Sequence, residues 1–355
     1  MINRTNWKHV CAYLQYRRDV DQISDTSQRL EESWLRHVLE WADENPFDQV
    51  SKIRPAFPEY IVSARLDENG ESLSPVYVRH IIRSAHRFFF WLSKHRRGYS
   101  SITQAWLDTL KPPRMTEAHE EHEFVTLEEI RAIAAAPVET IRERRIRAAA
   151  VFWFLSGIRI GAFVTLPLAA VDIENLTVKQ FPKLGVKTKF GKHATTYLLD
   201  IPDLLEVVKA WDNEVRAILP SNGLWFAPVS PETGKIDPTI TTAGKHRNIR
   251  ARKDLEGWLK RVGLPYHSPH KFRHGNAVYS LKNAKDISAL KAVSQNLMHS
   301  NLSVTDGVYG ILTETDVRHQ IANLGKDVAN SNDVQELRSL VSQLLNMLGK
   351  NSIAK

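Results

Sequence analysis

Residues 148–155 read Ala-Ala-Ala-Val-Phe-Trp-Phe-Leu, eight apolar residues without a polar break, and this run constrains the fold more than any other segment. It is far shorter than the roughly 20 residues that span a bilayer. A helix that is apolar on every side is stable only where neighbours cover it all round. The run therefore predicts a helix over about residues 139–155, at the centre of a domain large enough to enclose it. With 355 residues the chain has room for two domains of ordinary size. Its composition, 43% hydrophobic and 25% charged, is that of a folded protein rather than a disordered or fibrous one. The single cysteine, Cys11, excludes a disulfide scaffold and a multi-cysteine zinc site. The N-terminal residues M-I-N-R-T-N-W-K carry no apolar signal core, which points to a cytoplasmic protein with no membrane partner.

Net charge is +8, from 48 Lys and Arg against 40 Asp and Glu, and favours a polyanionic partner. Where that charge sits is more informative. Residues 1–113 read as helical. Residues 7–16 are amphipathic, and Leu30, Trp34, Leu35, Val38, Leu39 and Trp41 follow Ser27 at helical offsets. Asn45-Pro46 is a stop signal, a further helix is expected over 57–64, and 67–70 form a loop. Ser74-Pro75 suits an N-cap followed by the first helical position, opening a long helix. Its apolar face carries Val78, Ile81, Ile82, Ala85, Phe88, Phe89 and Leu92. The opposite face carries Arg79, Arg83 and Arg87, then Lys94, Arg96 and Arg97, with no acid between Arg79 and Arg97. A solvated face normally mixes signs, so this ridge is expected to contact phosphates.

Lys111-Pro-Pro-Arg114 cannot continue a helix, and 114–123 reads as a linker. A second domain, 124–328, opens with Thr126 and Glu129 in a capping-box pattern. From Val171 the period changes. Residues 176–178, 186–189 and 194–199 are β-prone, and Phe190-Gly191-Lys192 separates the last two as a turn. Helices return over 202–219, around 242–262 and in pieces to about 323. The fold class is therefore mainly α with a small antiparallel β-sheet. The tail, 329–355, places Val334, Leu337, Val341, Leu344 and Leu348 on one seam of an amphipathic helix, docked on its own domain or on another subunit.

Four places in the second domain suggest chemistry. Arg159, in Ser156-Gly-Ile-Arg159-Ile-Gly161, leaves the most apolar helix with no acid within ten residues on either side. A buried guanidinium needs an anion, here a ligand or a distant acid such as Asp172. Lys187, Lys189 and Lys192 lie on the expected hairpin, as a solvated edge or as a ribbon for a DNA groove. In His267-Ser-Pro-His270-Lys-Phe-Arg273-His274, Pro269 can start a helix with His270 and Arg273 on one face. The nearby histidines lack the cysteines and carboxylates of a usual zinc site. Last, His299 precedes Tyr309 in a polar, glycine-containing segment.

Taken in order, these segments resemble the catalytic domain of the tyrosine recombinases, the phage-integrase family. The family pattern of Arg, hairpin Lys, HxxR, His and a late Tyr falls on Arg159, Lys189, His270, Arg273, His299 and Tyr309. The resemblance covers roughly 124–323, and the helical region 1–113 is similar to the family's core-binding domain. There are departures. The acid often found three residues after the first Arg is Ala162, and His299 to Tyr309 is one residue longer than the common spacing. Lys189 is preferred as the hairpin lysine because it stands two residues before the turn glycine Gly191, with Lys187 and Lys192 as alternatives.

The resemblance implies a site-specific DNA recombinase or integrase that works through a 3′-phosphotyrosyl intermediate, with no metal and no cofactor. Arg159 and Arg273 are expected to grip the scissile phosphate, because a planar guanidinium matches its oxygens and stays charged. His270 would handle a proton near Tyr309, His299 would bond the phosphate, and Lys189 would protonate the leaving 5′-oxygen. The expected partner is double-stranded DNA, bound by a dimer on one site and a tetramer in synapsis. Further phosphate contacts are expected from Lys245, Arg247 and Arg250, with Arg252 and Lys253 beside them, unless that face is merely solvated. The alternatives are a type IB topoisomerase-like relaxing enzyme and a non-catalytic DNA-binding protein on the same scaffold.

Overall fold

The structure of the protein is a computed structural model that describes residues 1–66, 70–113, 123–284 and 286–299. Tyr309, the tail seam and most of the expected linker lie outside the described residues. The chain divides into two compact units, Met1–Glu120 and Glu121–Lys355. Among the described residues no helix is long and apolar enough to cross a membrane.

The first unit is helical: α1 (Arg4–Asp19), α2 (Asp25–Ala42), α3 (Phe57–Glu59) running into a π turn at Tyr60–Ala64, α4 (Pro75–His95) and α5 (Gln104–Leu107). Ser74 caps α4 by accepting from the Tyr77 N–H at 3.3 Å, and Pro75 begins it. The apolar stripe from Val78 to Leu92 is buried against α1 and α2. Helix α2 starts earlier than Ser27 suggests. Ser24 is its cap, accepting from the Ser27 N–H at 3.2 Å, and Leu30 falls on the exposed side. The arginine ridge of α4 is also not wholly unopposed, because α2 supplies an acid from across the bundle. Glu31, only 2% exposed, accepts from Arg87 at 3.1 Å, Arg17 Nε at 3.0 Å, the Tyr13 hydroxyl at 3.1 Å and the Ser84 hydroxyl at 3.3 Å. Four donors around one carboxylate offset the cost of taking it out of water.

The second unit contains α6 (Leu127–Ala135), α7 (Ile141–Ser156), α8 (Ile160–Phe163), β1 (Val171–Asp172), β2 (Thr177–Gln180), β3 (Ala194–Tyr197), α9 (Pro202–Arg216), α10 (Arg247–Val262), α11 (Pro269–Asn283) and α12 (Ile287–Asn296). The apolar run lies in α7, which packs against α6, α9, α10 and α11, and residues 148–155 are all at most 1% exposed. Thr126 and Glu129 form the expected capping box, and a second one, Thr140 with Glu143, fixes the start of α7. Burial opposes ionisation of Glu143, but the Thr140 and Glu139 N–H groups and Arg261 hold its carboxyl at a pKa of about 2.

The sheet is antiparallel in the order β1-β2-β3, with Gln180 opposite Ala194 and Val178 opposite Thr196. The strand expected at 186–189 does not form. Residues 181–193 instead arch away between β2 and β3, with tight turns at Pro182–Leu184 and Lys189–Gly191. The side chain of Val186 is buried, and the Lys187 N–H is taken by the Thr165 hydroxyl at 2.8 Å rather than by a neighbouring strand. Those two tertiary contacts outweigh the local β-propensity.

Candidate active site

The site is built where α7 ends. Gly157 caps the helix with φ +59°, and the chain then turns so that Arg159 stands, half-buried, as the N-cap of α8. A Cβ on Gly157 would lie 2.6 Å from a Leu297 methyl and 2.8 Å from the Asn276 side-chain oxygen, so only glycine fits. Helix α11 supplies the brace. Arg273, 3% exposed, donates to the carbonyls of Gly157 and Leu297 and, at 2.9 Å, to Nε2 of His299. One guanidinium thus ties the end of α7 to the segment after α12. Three residues on, Asn276 donates to the Phe154 and Leu155 carbonyls at 2.8 and 3.1 Å, fixing the last turn of α7.

These ties bring residues of three loops onto one cavity of about 210 Å³, lined by Arg159, Ala162, Gln180, Thr188, Lys189, Phe190, Lys192, Met298 and His299. None of these lining residues is acidic. The arched loop is pinned beside Arg159 because Thr165 accepts from Lys187 while donating to the Gly161 and Ala162 carbonyls at 3.1 and 3.0 Å. On the other side, the Asn296 side chain accepts from the Tyr197 N–H at 2.7 Å and donates to its carbonyl at 2.9 Å, joining the end of α12 to β3. Met298 then adopts φ +53°, a left-handed turn that is costly for a side-chain-bearing residue and that presents His299 to the cavity.

The electrostatics follow from this crowding of cations. The His299 pKa is lowered to about 4 by burial and by the charges of Arg273, Arg159, His270 and Lys192. Its ring is therefore neutral near pH 7. Nε2 accepts from Arg273, which puts the ring proton on Nδ1. The His270 pKa is lowered by burial and by Arg273, Arg159 and Lys271. Arg159 and Arg273 thus act on both histidines, Lys192 acts on His299, and Lys189 lines the same cavity. Its ammonium lies 5.1 Å from the centre of the Phe190 ring. Asp172, the distant acid considered for Arg159, accepts instead from the Asn175 N–H at 3.0 Å and side-chain amide at 2.8 Å. Arg273 donates to three protein acceptors, so it braces the site as well as charging it.

Two more histidines lie close by in sequence, His267 before this helix and His274 within it. His267 meets Glu129 at 3.3 Å, and the His274 ring packs edge-on to His270 at 4.5 Å. Among the described residues no group of three or more His, Cys, Asp or Glu side chains is gathered as a metal site would need.

Arg83, Lys94, Arg96, Arg97, Lys245, Arg250, Arg252 and Lys253 are exposed, and Arg79 is half-buried. Arg87 leans back on Glu31. Arg247 turns inward, donating to the Phe226 carbonyl and stacking on its ring at 5.0 Å. Burial lowers its pKa to about 10. Arg145 lies 4.3 Å from the same ring and pairs with Asp254 at 2.6 Å. Gln180, Thr165 and Asn276 were not singled out from the sequence. Only Asn276 left a local signal, standing one helical turn after Arg273 on the same face.

No family model matches the chain. The chain is 26% identical over 247 residues to the tyrosine recombinase XerC of Natranaerobius thermophilus, covering 67% of this chain and 72% of that protein. Its fold is similar to that of lambda integrase solved as a dimer bound to a COC′ core site, with a TM-score of 0.59 at 12% identity over 87% of this chain and 95% of that one. It is also similar to the Tn1549 transposon integrase in complex with circular-intermediate DNA, with a TM-score of 0.55 at 15% identity over 89% of this chain and 99% of that one.

Proposed function

The chain belongs to the tyrosine recombinase/integrase family, and from that premise we propose that it cleaves and rejoins DNA at a specific site through a 3′-phosphotyrosyl intermediate. The observation that carries this reading is the acid-free cavity on which Arg159 and His299 converge, braced by Arg273. Such a pocket suits a phosphodiester, whose charge rises as it is attacked.

In this reading Arg159 grips a non-bridging oxygen with its guanidinium. Arg273 holds Arg159's loop and His299 in place and adds its charge. His299, neutral, donates from Nδ1 to a phosphate oxygen. The Tyr309 hydroxyl loses its proton toward His270 and attacks phosphorus. A Tyr–O–P bond forms as the bond to the 5′-oxygen breaks. Nearby guanidinium groups favour the phenolate and so ease this step. A loop lysine, Lys189 or Lys192, gives the departing oxygen its proton. A 5′-hydroxyl from a second strand then reverses the sequence and frees Tyr309. No metal or nucleotide takes part.

The first unit is assigned as a core-binding domain and the second as the catalytic domain. Arg83, Lys94, Arg96 and Arg97 of the first unit, and Lys245 and Arg250 of the second, are its phosphate contacts. The substrate is duplex DNA, bound by more than one copy of the chain, in the cytoplasm of a prokaryotic host. Mixing two marked duplexes that carry the protein's binding site tests the reading. Exchange of their flanks by the wild type, lost in Tyr309→Phe, is expected. Relaxation of supercoils without exchange would replace the recombinase by a relaxing enzyme, and binding without any broken strand would refute catalysis.

A further inference from the structure

Core packing does not account for a phenylalanine at position 190. Its side chain is 84% exposed, while the next most exposed aromatic among the described residues, Tyr197, is 57% exposed. Its backbone sits at φ +60°, ψ +24°, a region that a bulky residue rarely occupies and that Gly or Asn would fill at less cost. A loop that only needed to turn would not carry an aromatic ring there. The turn that carries the ring is closed at its base. The Thr188 hydroxyl donates to the Lys192 carbonyl at 2.5 Å across the neck of the turn, and Gly191 follows in the left-handed region at φ +64°. The tip is a single turn of three residues, Lys189–Gly191. Residues 181–193 contain four lysines and no acid.

Building on the DNA-cleaving reading above, we propose that Phe190 is a wedge that enters the minor groove and parts the base step next to the phosphate held in the pocket. Phe190 lines that pocket, together with Lys189, Lys192 and Arg159. A narrow, lysine-flanked tip suits the minor groove, where apolar side chains inserted between steps unstack bases and bend the duplex. The wedge would act before chemistry, by selecting steps that open easily.

The test uses the full chain. A random 20-bp duplex library is enriched by the wild type, and the winning duplex is remade with 2-aminopurine at each position in turn. Wild type raises the emission at one step, since an unstacked base fluoresces more. Phe190→Ala abolishes that rise and weakens binding about tenfold at every salt concentration, with an unchanged salt slope, because no phosphate contact is lost. Phe190→Leu keeps most of both signals, and Lys192→Ala lowers the slope by about 1. Equal affinity and equal emission for Phe190→Ala overturn the wedge and leave the enzyme reading standing. If Phe190→Ala destabilises the DNA-free protein, the ring packs on its own chain and the wedge is again wrong. If the wild type enriches no duplex, the DNA reading fails and this inference with it.

Discussion

Replacing Gly157 by alanine probes how tightly the fold and the site are joined. The new methyl would stand 2.6 Å from a Leu297 methyl and 2.8 Å from the Asn276 oxygen. Leu297 can swing part of the way, although it is fully buried. Asn276 cannot move cheaply, because its amide is held by two carbonyls of α7. An alanine at φ +59° adds about 1–2 kcal/mol of left-handed strain. Overpacking a well-filled core costs about 1–3 kcal/mol more. The sum, about 2–5 kcal/mol, corresponds to a roughly 30-fold to several-thousand-fold larger population of the opened state. Amide hydrogen exchange reads each unit separately, so α7 and α11 should lose protection by that factor while α4 keeps its own. A change in α7 below about threefold would mean that the crowding around Gly157 is misread.

The His299 ring should titrate near pH 4 by proton NMR, and so should that of His37, whose pKa burial and then Arg65 and Arg36 also lower to about 4. The sign is fixed by refusal of protons. Between pH 6.5 and 4 the unfolded chain binds protons that the folded histidines reject, so stability falls through that window and is unaffected above it; a midpoint near 6.5 for either ring contradicts this. Glu31→Ala takes the buried acceptor from Arg87 and from Arg17, which keeps Asp21 at 2.6 Å. Loss of a buried partner costs about 3–5 kcal/mol, and the lower end is expected because the Arg87 side chain is 48% exposed and can turn to water. Faster exchange should be confined to the first unit, and a loss below about 1 kcal/mol would refute the network. A 5′-bridging sulfur leaves as a thiolate and needs no proton, its pKa being near 8.5. It should rescue cleavage by whichever of Lys189→Ala and Lys192→Ala removed the acid; rescue of neither excludes both.

Much of this was legible because local rules and tertiary packing agree. Ser74-Pro75 opens α4, Thr126 and Glu129 open α6, and Pro269 opens α11, where helix geometry sets His270 and Arg273 one turn apart. What was not legible depended on partners far away in sequence. Arg87 meets a carboxylate 56 residues distant, and Arg247 finds a carbonyl 21 residues before it. Residues 186–189 are β-prone, yet Thr165 and the core claim them first. The brace formed by Arg273 was likewise hidden, because the carbonyls it holds come from segments 116 and 24 residues away.

Identity of the DNA-linked residue is the most direct test. A duplex nicked so that its short product diffuses away should trap the wild type covalently. Digestion of the trapped complex should give one DNA-bearing peptide, with the 3′-phosphate on Tyr309. A linkage on any other side chain, or an undiminished adduct with Tyr309→Phe, would contradict the account.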